Sequence, residues 1–233
     1  MYKEKVPLIS VLMSVYNGER WLADSIKSVL KQSFEDFEFI IVNDGSNDSS
    51  LKIIESFANS DSRIRIFNKE NTGLTHSLND GLSKARGEWI ARIDADDICA
   101  PNRLLKQLQY SKSEEDLVLL GSGLSIIDDH GNQIKVYRYP KKHIRLIRAL
   151  SKGLPFFPHS SAFFRLSAAL KIGGYRLPFK RTQDQDLWLR LSEVGKIGSL
   201  SETLVFIRKH TEQISNNNFG KEQSVYSHMA MTS

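Results

Sequence analysis

An α/β fold built on a mainly parallel sheet is what this sequence predicts, and three observations predict it. Short, strongly apolar runs of strand length recur down the first hundred residues. Between them, apolar residues fall at helical spacing, as crossover helices require. Several runs end in Asn, Asp or Gly, the residues that turn a chain out of a buried strand. With 233 residues, 40% of them hydrophobic and 25% charged, the chain can bury one substantial core and is too apolar for disorder.

The elements follow in order. Residues 8–15 form a continuous apolar-rich run, the pattern of a strand covered on both faces. Leu22, Ile26, Val29 and Leu30 then share one helical face. Residues 37–42 read as a second strand, ended by Asn43-Asp44-Gly45-Ser46. Asp48 or Asn47 can cap the next helix, whose inner face is Leu51, Ile54 and Phe57. Residues 63–67 alternate as a third strand, and Leu74, Leu78, Leu82 and Ala85 mark a helix closed by Gly87. A fourth strand over 88–93 runs into Asp94-Ala95-Asp96-Asp97.

The second half is less regular. Pro101 suits a first helical turn ahead of Leu104, Leu105 and Leu108. Residues 117–120 and 124–127 read as two strands, and the turn cluster at 128–132 leads into a hairpin partner over 134–139. A strand at 160–165, a short helix capped by Ser167, a helix through Leu187, Leu191 and Val194, and a last strand at 203–208 complete the order. The expected layout is one domain over 1–215, divided into halves at 1–98 and 99–215, with a polar tail at 216–233.

Composition narrows the classes. The single Cys99 excludes an intrachain disulfide and a cysteine zinc cage. No secretion signal precedes residue 8, and no run approaches the roughly 20 apolar residues of a membrane helix. The expected location is therefore the cytoplasm. Neither Gly-x-Gly-x-x-Gly nor a Gly-Lys-Ser/Thr loop occurs, so dinucleotide and P-loop chemistry find no support.

Four features fall at the C-terminal ends of predicted parallel strands: Tyr16-Asn17, Asp44-Gly45-Ser46, Asn71 and the acidic run at 94–97. In open α/β sheets that edge receives ligands. Three carboxylates within four residues repel one another unless solvated or bridged by an oxygen-seeking divalent cation. A solvated turn, with Asp97 as a helix cap, is the plainer account of the same residues. Asp44 and Asn17-Gly18 are likewise compatible with simple turns.

Taken in order, the segments 11–19, 41–49 and 93–97 resemble glycosyltransferase family 2, enzymes of the GT-A fold that use nucleotide-sugars. Asn71-Thr72-Gly73-Leu74, Pro158-His159-Ser160-Ser161, Gly173-Gly174-Tyr175 and Asp184-x-Asp186-Leu187-Trp188 extend the resemblance over about residues 7–215. It implies a Rossmann-like nucleotide-binding half with a mixed, mainly parallel sheet, followed by an acceptor-binding half. Tyr16, Asn17, Glu19, Asp44, Ser46, Asn71 and Asp94 would contact the nucleotide, most often uridine diphosphate. Asp96, with Asp94 and His210, would hold Mn²⁺ or Mg²⁺ against the diphosphate. Asp184 would be the general base, with Asp186 as its alternative, and His159, Gln183 and Trp188 would face the acceptor, although the helical spacing of Trp188 suits a core residue better and His159 fits a packed histidine at a strand start equally well. The reaction implied is inverting transfer of a sugar to a saccharide or lipid-diphosphate-linked saccharide, in polysaccharide or lipopolysaccharide synthesis. The chain departs from the family where Gln183 replaces the usual Glu and Gln185 an aromatic. A sugar-nucleotide pyrophosphorylase and a non-catalytic nucleotide-sugar or glycan-binding protein are the competing readings.

Residues 135–152 hold Lys135, Arg138, Lys141, Lys142, Arg145, Arg148 and Lys152 and no acid, with Ile144, Ile147 and Leu150 between them. An ordinary solvated face and a contact with an anionic membrane fit this stretch equally. A nucleic-acid partner is not expected, because no recognised module accompanies the charge.

Overall fold

The computed structural model describes residues 6–152, 156–179, 182–211 and 213. The proposed tail at 216–233 lies outside the described residues. The first half alternates strand and helix: β1 (Ile9–Val15), α1 (Glu19–Leu30), β2 (Phe37–Asp44), α2 (Ser50–Ala58), β3 (Ile64–Lys69), α3 (Leu74–Lys84) and β4 (Trp89–Arg92). The second half comprises β5 (Ile98–Cys99), α4 (Arg103–Ser113), β6 (Leu117–Ile127), β7 (Gln133–Tyr137), α5 (His143–Ser151), β8 (Phe163–Arg165), α6 (Leu166–Lys171), α7 (Gln183–Val194) and β9 (Lys196–Arg208). A short 3₁₀ turn at His159–Ser161 precedes β8.

One sheet carries both halves, in the order β3-β2-β1-β4-β8-β6-β9-β5, with β7 paired to β6. β1 pairs in parallel with both β2 and β4, and β2 in parallel with β3. The antiparallel β8 joins β4 to β6, while β6 and β9 run parallel over ten residue pairs. Successive side chains point to opposite faces of a strand, so β1 and β2 serve two cores. Val11, Met13, Phe39 and Ile41 pack towards α1, α2 and α4. Leu12, Ile40 and Val42 pack with Leu78, Leu82, Phe164, Leu187 and Trp188 on the other face. Both faces being covered explains why these strands read as unbroken apolar runs. Strand order reverses at β1, which lies between β2 and β4, and the crevice at such a switch point is where ligands bind.

Several expected boundaries move. The two strands at 117–120 and 124–127 are one strand, β6, whose pairing with β9 shifts register around Ser122–Leu124. Gly121 and Gly123 do not break it; they clear space. A Cβ on Gly121 would overlap the Phe157 ring, and one on Gly123 would crowd the carbonyls of Ser201 and Glu202. Gly121→Ala is accordingly expected to cost about 1–3 kcal/mol, read as a lower urea midpoint at unchanged m-value. Ser167 lies inside α6, which starts after Arg165, so it caps nothing. Residues 160–162 belong to the 3₁₀ turn and its exit, and only 163–165 form a strand. Pro101 precedes the α4 cap position Asn102 instead of entering the first turn. Asp48 accepts the Ser50 N–H at 2.9 Å, while Ser49 occupies the α2 cap position. Among the described residues no helix is long and apolar enough to cross a membrane.

Candidate active site

The acidic loop leaves β4 with an arginine buried beneath it. Arg92 has no exposed surface, and its guanidinium pairs with the Asp94 carboxylate. Ser160 completes the clamp: the Asp94 N–H donates to Ser160 Oγ at 3.0 Å, and that hydroxyl donates to Asp94 Oδ2 at 2.8 Å. Asp94 is thus fixed from below while 40% of its side chain remains exposed. Arg92 Nε is buried without a hydrogen-bond partner among the described residues. The fully buried Arg103 ties this floor to the second half, donating from Nη2 to the carbonyls of Arg92 at 2.8 Å and Ala162 at 3.1 Å. Neither arginine figured among the residues expected at the site. The available signal was a charged residue inside the apolar strand pattern of 88–93.

The far end of the chain closes over the other two acids. The Arg208 N–H donates to Asp97 Oδ1 at 3.0 Å, and the His210 ring meets Asp96 Oδ2 at 2.9 Å. Beneath His210 lies the Trp21 ring, 4.0 Å between centroids, so Trp21 supports the site besides filling the core. Burial pushes the Asp96 carboxyl up, and Asp94 pushes it further, against the lowering effect of His210. Asp97, buried beside both, is raised well above the usual carboxylate range. Its role is a clasp for β9, not the helix cap expected of it. Among the described residues, no three His, Cys, Asp or Glu side chains form a ready-made metal cage. The crowded acids nevertheless suit a hard divalent cation whose remaining ligands come from phosphate and water, the usual Mg²⁺ arrangement.

The loops after β1 and β2 are laced together. Asn17, in the left-handed region at φ 50°, donates its N–H to Ser46 Oγ at 3.1 Å and accepts the Asn47 N–H at 2.8 Å. Glu19 accepts the Ser49 N–H at 2.8 Å, and the Glu19 N–H donates to Asp48 at 3.0 Å. Asn17, Glu19 and Ser46 therefore shape this rim, and Tyr16 stands exposed on it. Asp44 is almost fully buried and grips the segment after β3, accepting the N–H groups of Thr72 at 3.0 Å and Gly73 at 2.9 Å. Asn71 Nδ2 returns to the Asp44 carbonyl at 2.9 Å. Gly45, at φ 72°, lets the two segments meet, since a Cβ there would strike the Asn71 backbone nitrogen.

A cleft of about 850 Å³ opens between the segment after β3, the acidic loop and the start of α7, and Tyr16, Asn17, Glu19, Asp44, Ser46 and His210 do not line it. Asn71, Asp94, Asp96, His159, Gln183 and Asp184 all line it. α7 begins after Thr182, whose φ of 58° turns the chain sharply into the helix, so its first turn faces the cleft. Asp184 is half-buried there, and burial together with Asp94 raises its carboxyl against the lowering pull of Arg92 and the Gln185 N–H. Gln183 is buried beside it, with Oε1 unpartnered among the described residues. His159 Nε2 bonds the Tyr175 hydroxyl at 2.6 Å, and burial with Arg92 nearby keeps the imidazole neutral by lowering it well below its usual range.

Two expectations need revision. Trp188 does not reach an acceptor: it has no exposed surface and packs under Phe157, Phe164 and His159. Asp186 does not line the cleft; it is wholly buried, with both oxygens held by Arg176 and Arg190. Asp184 is the carboxylate of this helix that the cleft receives.

Comparison with known proteins supplies the family and the fold. The family model described as Glycosyl transferase family 2 matches residues 10–173. The putative glycosyltransferase EpsE of Bacillus subtilis (strain 168) is 36% identical over 222 residues, covering 91% of this chain and 77% of its own. The O-antigen biosynthesis glycosyltransferase WbnJ of Escherichia coli is 35% identical over 212 residues, covering 88% and 81%. Among solved structures, S. aureus TarS 1–349 in complex with UDP-GlcNAc superposes with a TM-score of 0.78 at 18% identity, covering 95% of this chain and 65% of that one. The mannosyltransferase PcManGT of Pyrobaculum calidifontis, in complex with GDP-Man and Mn²⁺, gives 0.68 at 17% identity, covering 91% and 59%. The chain thus spans less than two thirds of the length of these two structures. A switch-point cleft with its acidic loop, set in this sheet and matched by the family model over most of the sequence, identifies the chain as a member of glycosyl transferase family 2 with the GT-A fold.

Proposed function

We propose that the chain transfers a sugar from a nucleotide-diphospho-sugar to a hydroxyl of a saccharide or lipid-linked saccharide, inverting the anomeric centre, in the synthesis of a bacterial surface polysaccharide. One observation carries this reading: the clamped Asp94–Asp96 loop and the raised carboxylate of Asp184 face the same cleft. TarS was solved with UDP-GlcNAc and PcManGT with GDP-Man, which supports a nucleotide-sugar donor. Uridine diphosphate is the carrier we favour, on the family resemblance of the loop at 16–19. A nucleotide-sugar donor places the reaction in the cytoplasm.

The residues divide the work. Asp44 holds Asn71 and its loop where the nucleotide would lie, and Arg92 with Ser160 keeps Asp94 pointing into the cleft. Asp96, Asp94 and His210 would hold Mn²⁺ or Mg²⁺, which when bound neutralises charge on the leaving diphosphate. Asp184 accepts the proton of the attacking acceptor hydroxyl at its carboxylate oxygen. Gln183 lines the cleft beside Asp184, on the side proposed for the acceptor. The neutral His159 contributes shape and a hydrogen bond, not charge.

The test is turnover of a panel of nucleotide-sugars by the purified chain with Mn²⁺, with EDTA, and with metal restored. The expected result is donor consumption that EDTA abolishes and Mn²⁺ restores. Donors that are neither bound nor consumed under any condition would sink the proposal.

A further inference from the structure

Residues 135–152 stand apart from the cleft. Their seven cations exceed the formal charge of the whole chain, +5, so the remainder is net acidic. All seven side chains are exposed, and among the described residues none forms an ion pair. A folded surface ordinarily intersperses its charges; here β7, the following turn and α5 carry a single sign along the chain, with Glu202 near Lys141 and Glu114 beside Lys141 and Lys142 as the neighbouring acids from other elements.

The same segment exposes large apolar side chains. Ile134 is 58% exposed, Tyr137 38% and Ile144 53%. The inner side of α5 is satisfied, with Leu146 and Leu150 buried in the core shared with Trp188. Ile144 is thus surplus to packing; Arg145 and Arg148 are exposed on the same helix, one and four residues further on. Beyond the turn, Tyr139 packs its ring against Phe157 at 6.3 Å, and Phe157 is followed by Pro158 and His159 of the cleft wall. Tyr139, within this stretch, thus touches the residue next to the cleft wall.

Exposed Ile and Tyr between long cationic side chains match a bilayer interface. Apolar groups enter the headgroup layer, aliphatic stems of Lys and Arg follow them, and the charges remain among the anionic headgroups. Nucleic acid would use the charge and leave Ile134 and Ile144 unexplained. We propose that residues 134–152 form a docking surface for an anionic lipid bilayer. Docking requires no donor, metal or turnover, so it stands or falls separately from the proposed reaction.

The experiment is co-sedimentation of the 233-residue chain with vesicles of phosphatidylcholine containing phosphatidylglycerol, and with phosphatidylcholine alone. Binding is expected only to the anionic vesicles, weakening as salt rises. The triple variant Lys141→Glu, Lys142→Glu and Arg145→Glu should reduce partitioning by on the order of 100-fold. Ile144→Glu alone should reduce it about tenfold, which pure charge attraction to a surface does not require. Thermal midpoints of the variants, unchanged for exposed positions, verify the fold. Absence of vesicle binding overturns the proposal, as does wild-type binding by the triple variant. So does retention on single-stranded DNA without any vesicle binding, which would assign the surface to nucleic acid.

Discussion

Replacing Asp184 by Asn is expected to lower kcat by about 10²–10⁴-fold, the range that a positioned general base contributes. The donor KM should move little, because Asp184 sits at the start of α7 while the loops proposed to hold the nucleotide follow β1, β2 and β3. The wild-type pH profile carries the second half of this prediction. Burial and the neighbouring Asp94 raise the Asp184 carboxyl, so its proton is held to a higher pH than on an ordinary aspartate. The base works ionised; the rate must therefore fall as pH drops through that raised value, at a higher pH than an ordinary aspartate would give. Stability runs the other way. A carboxyl raised on folding favours the folded state at low pH, and that contribution is lost as pH rises through the folded value. Asp184→Asn should thus be at least as stable as wild type at neutral pH. Steady-state kinetics against pH, with thermal unfolding of both proteins, checks each half. Full transfer by Asp184→Asn would remove Asp184 from the mechanism.

Two residues further on, Asp186→Ala should do the opposite. Its carboxylate receives Nε of Arg176 at 2.8 Å and Nη2 of Arg190 at 2.6 Å in a position with no exposed surface. Arg190 in turn donates to the carbonyls of Ile172 at 2.8 Å and Gly174 at 2.7 Å, so the pair fastens α7 to the end of α6. Removing one partner of such a cluster costs about 3–5 kcal/mol. The lower end applies here, since Arg176 is about one-third exposed and can rehydrate. For a chain of this length about 3 kcal/mol lowers Tm by about 6–12 °C. Calorimetry should show that loss for Asp186→Ala and not for Asp184→Asn. An Asp186→Ala protein that melts like wild type would show that the arginines do not depend on it.

Much of the first half was legible because its signals are local. A strand covered on both faces is apolar throughout, and β1, β2 and β4 lie within a residue or two of the ranges read from hydrophobicity. The acidic loop was found because three carboxylates after a buried strand are conspicuous in any order of reading. The second half resisted for equally physical reasons. Gly121 and Gly123 look like a break in sequence, whereas their purpose is clearance for Phe157 and β9, which no local pattern displays. β5 has two residues and exists only through its pairing with β9. Trp188 and Asp186 lie on the same helix as Asp184, and helical spacing alone does not say which side meets the cleft. Arg92 escaped because its partners, Asp94 and Ser160, come together through β8, a three-residue strand.

The clasp between β9 and the acidic loop has a temporal consequence. Asp96 and His210 are separated by 114 positions, and Arg208 bonds the loop across a similar span. During synthesis, β1, β2 and β3 can pair in turn as they emerge, whereas β4 must return to β1 across 80 positions. The two acids then wait for the final strand before histidine and backbone amide arrive to hold them. A nascent or prematurely ended chain lacking β9 would possess the sheet of β1 to β4 but an unclasped acidic loop. On the proposed function, sugar transfer would report that translation reached the last strand.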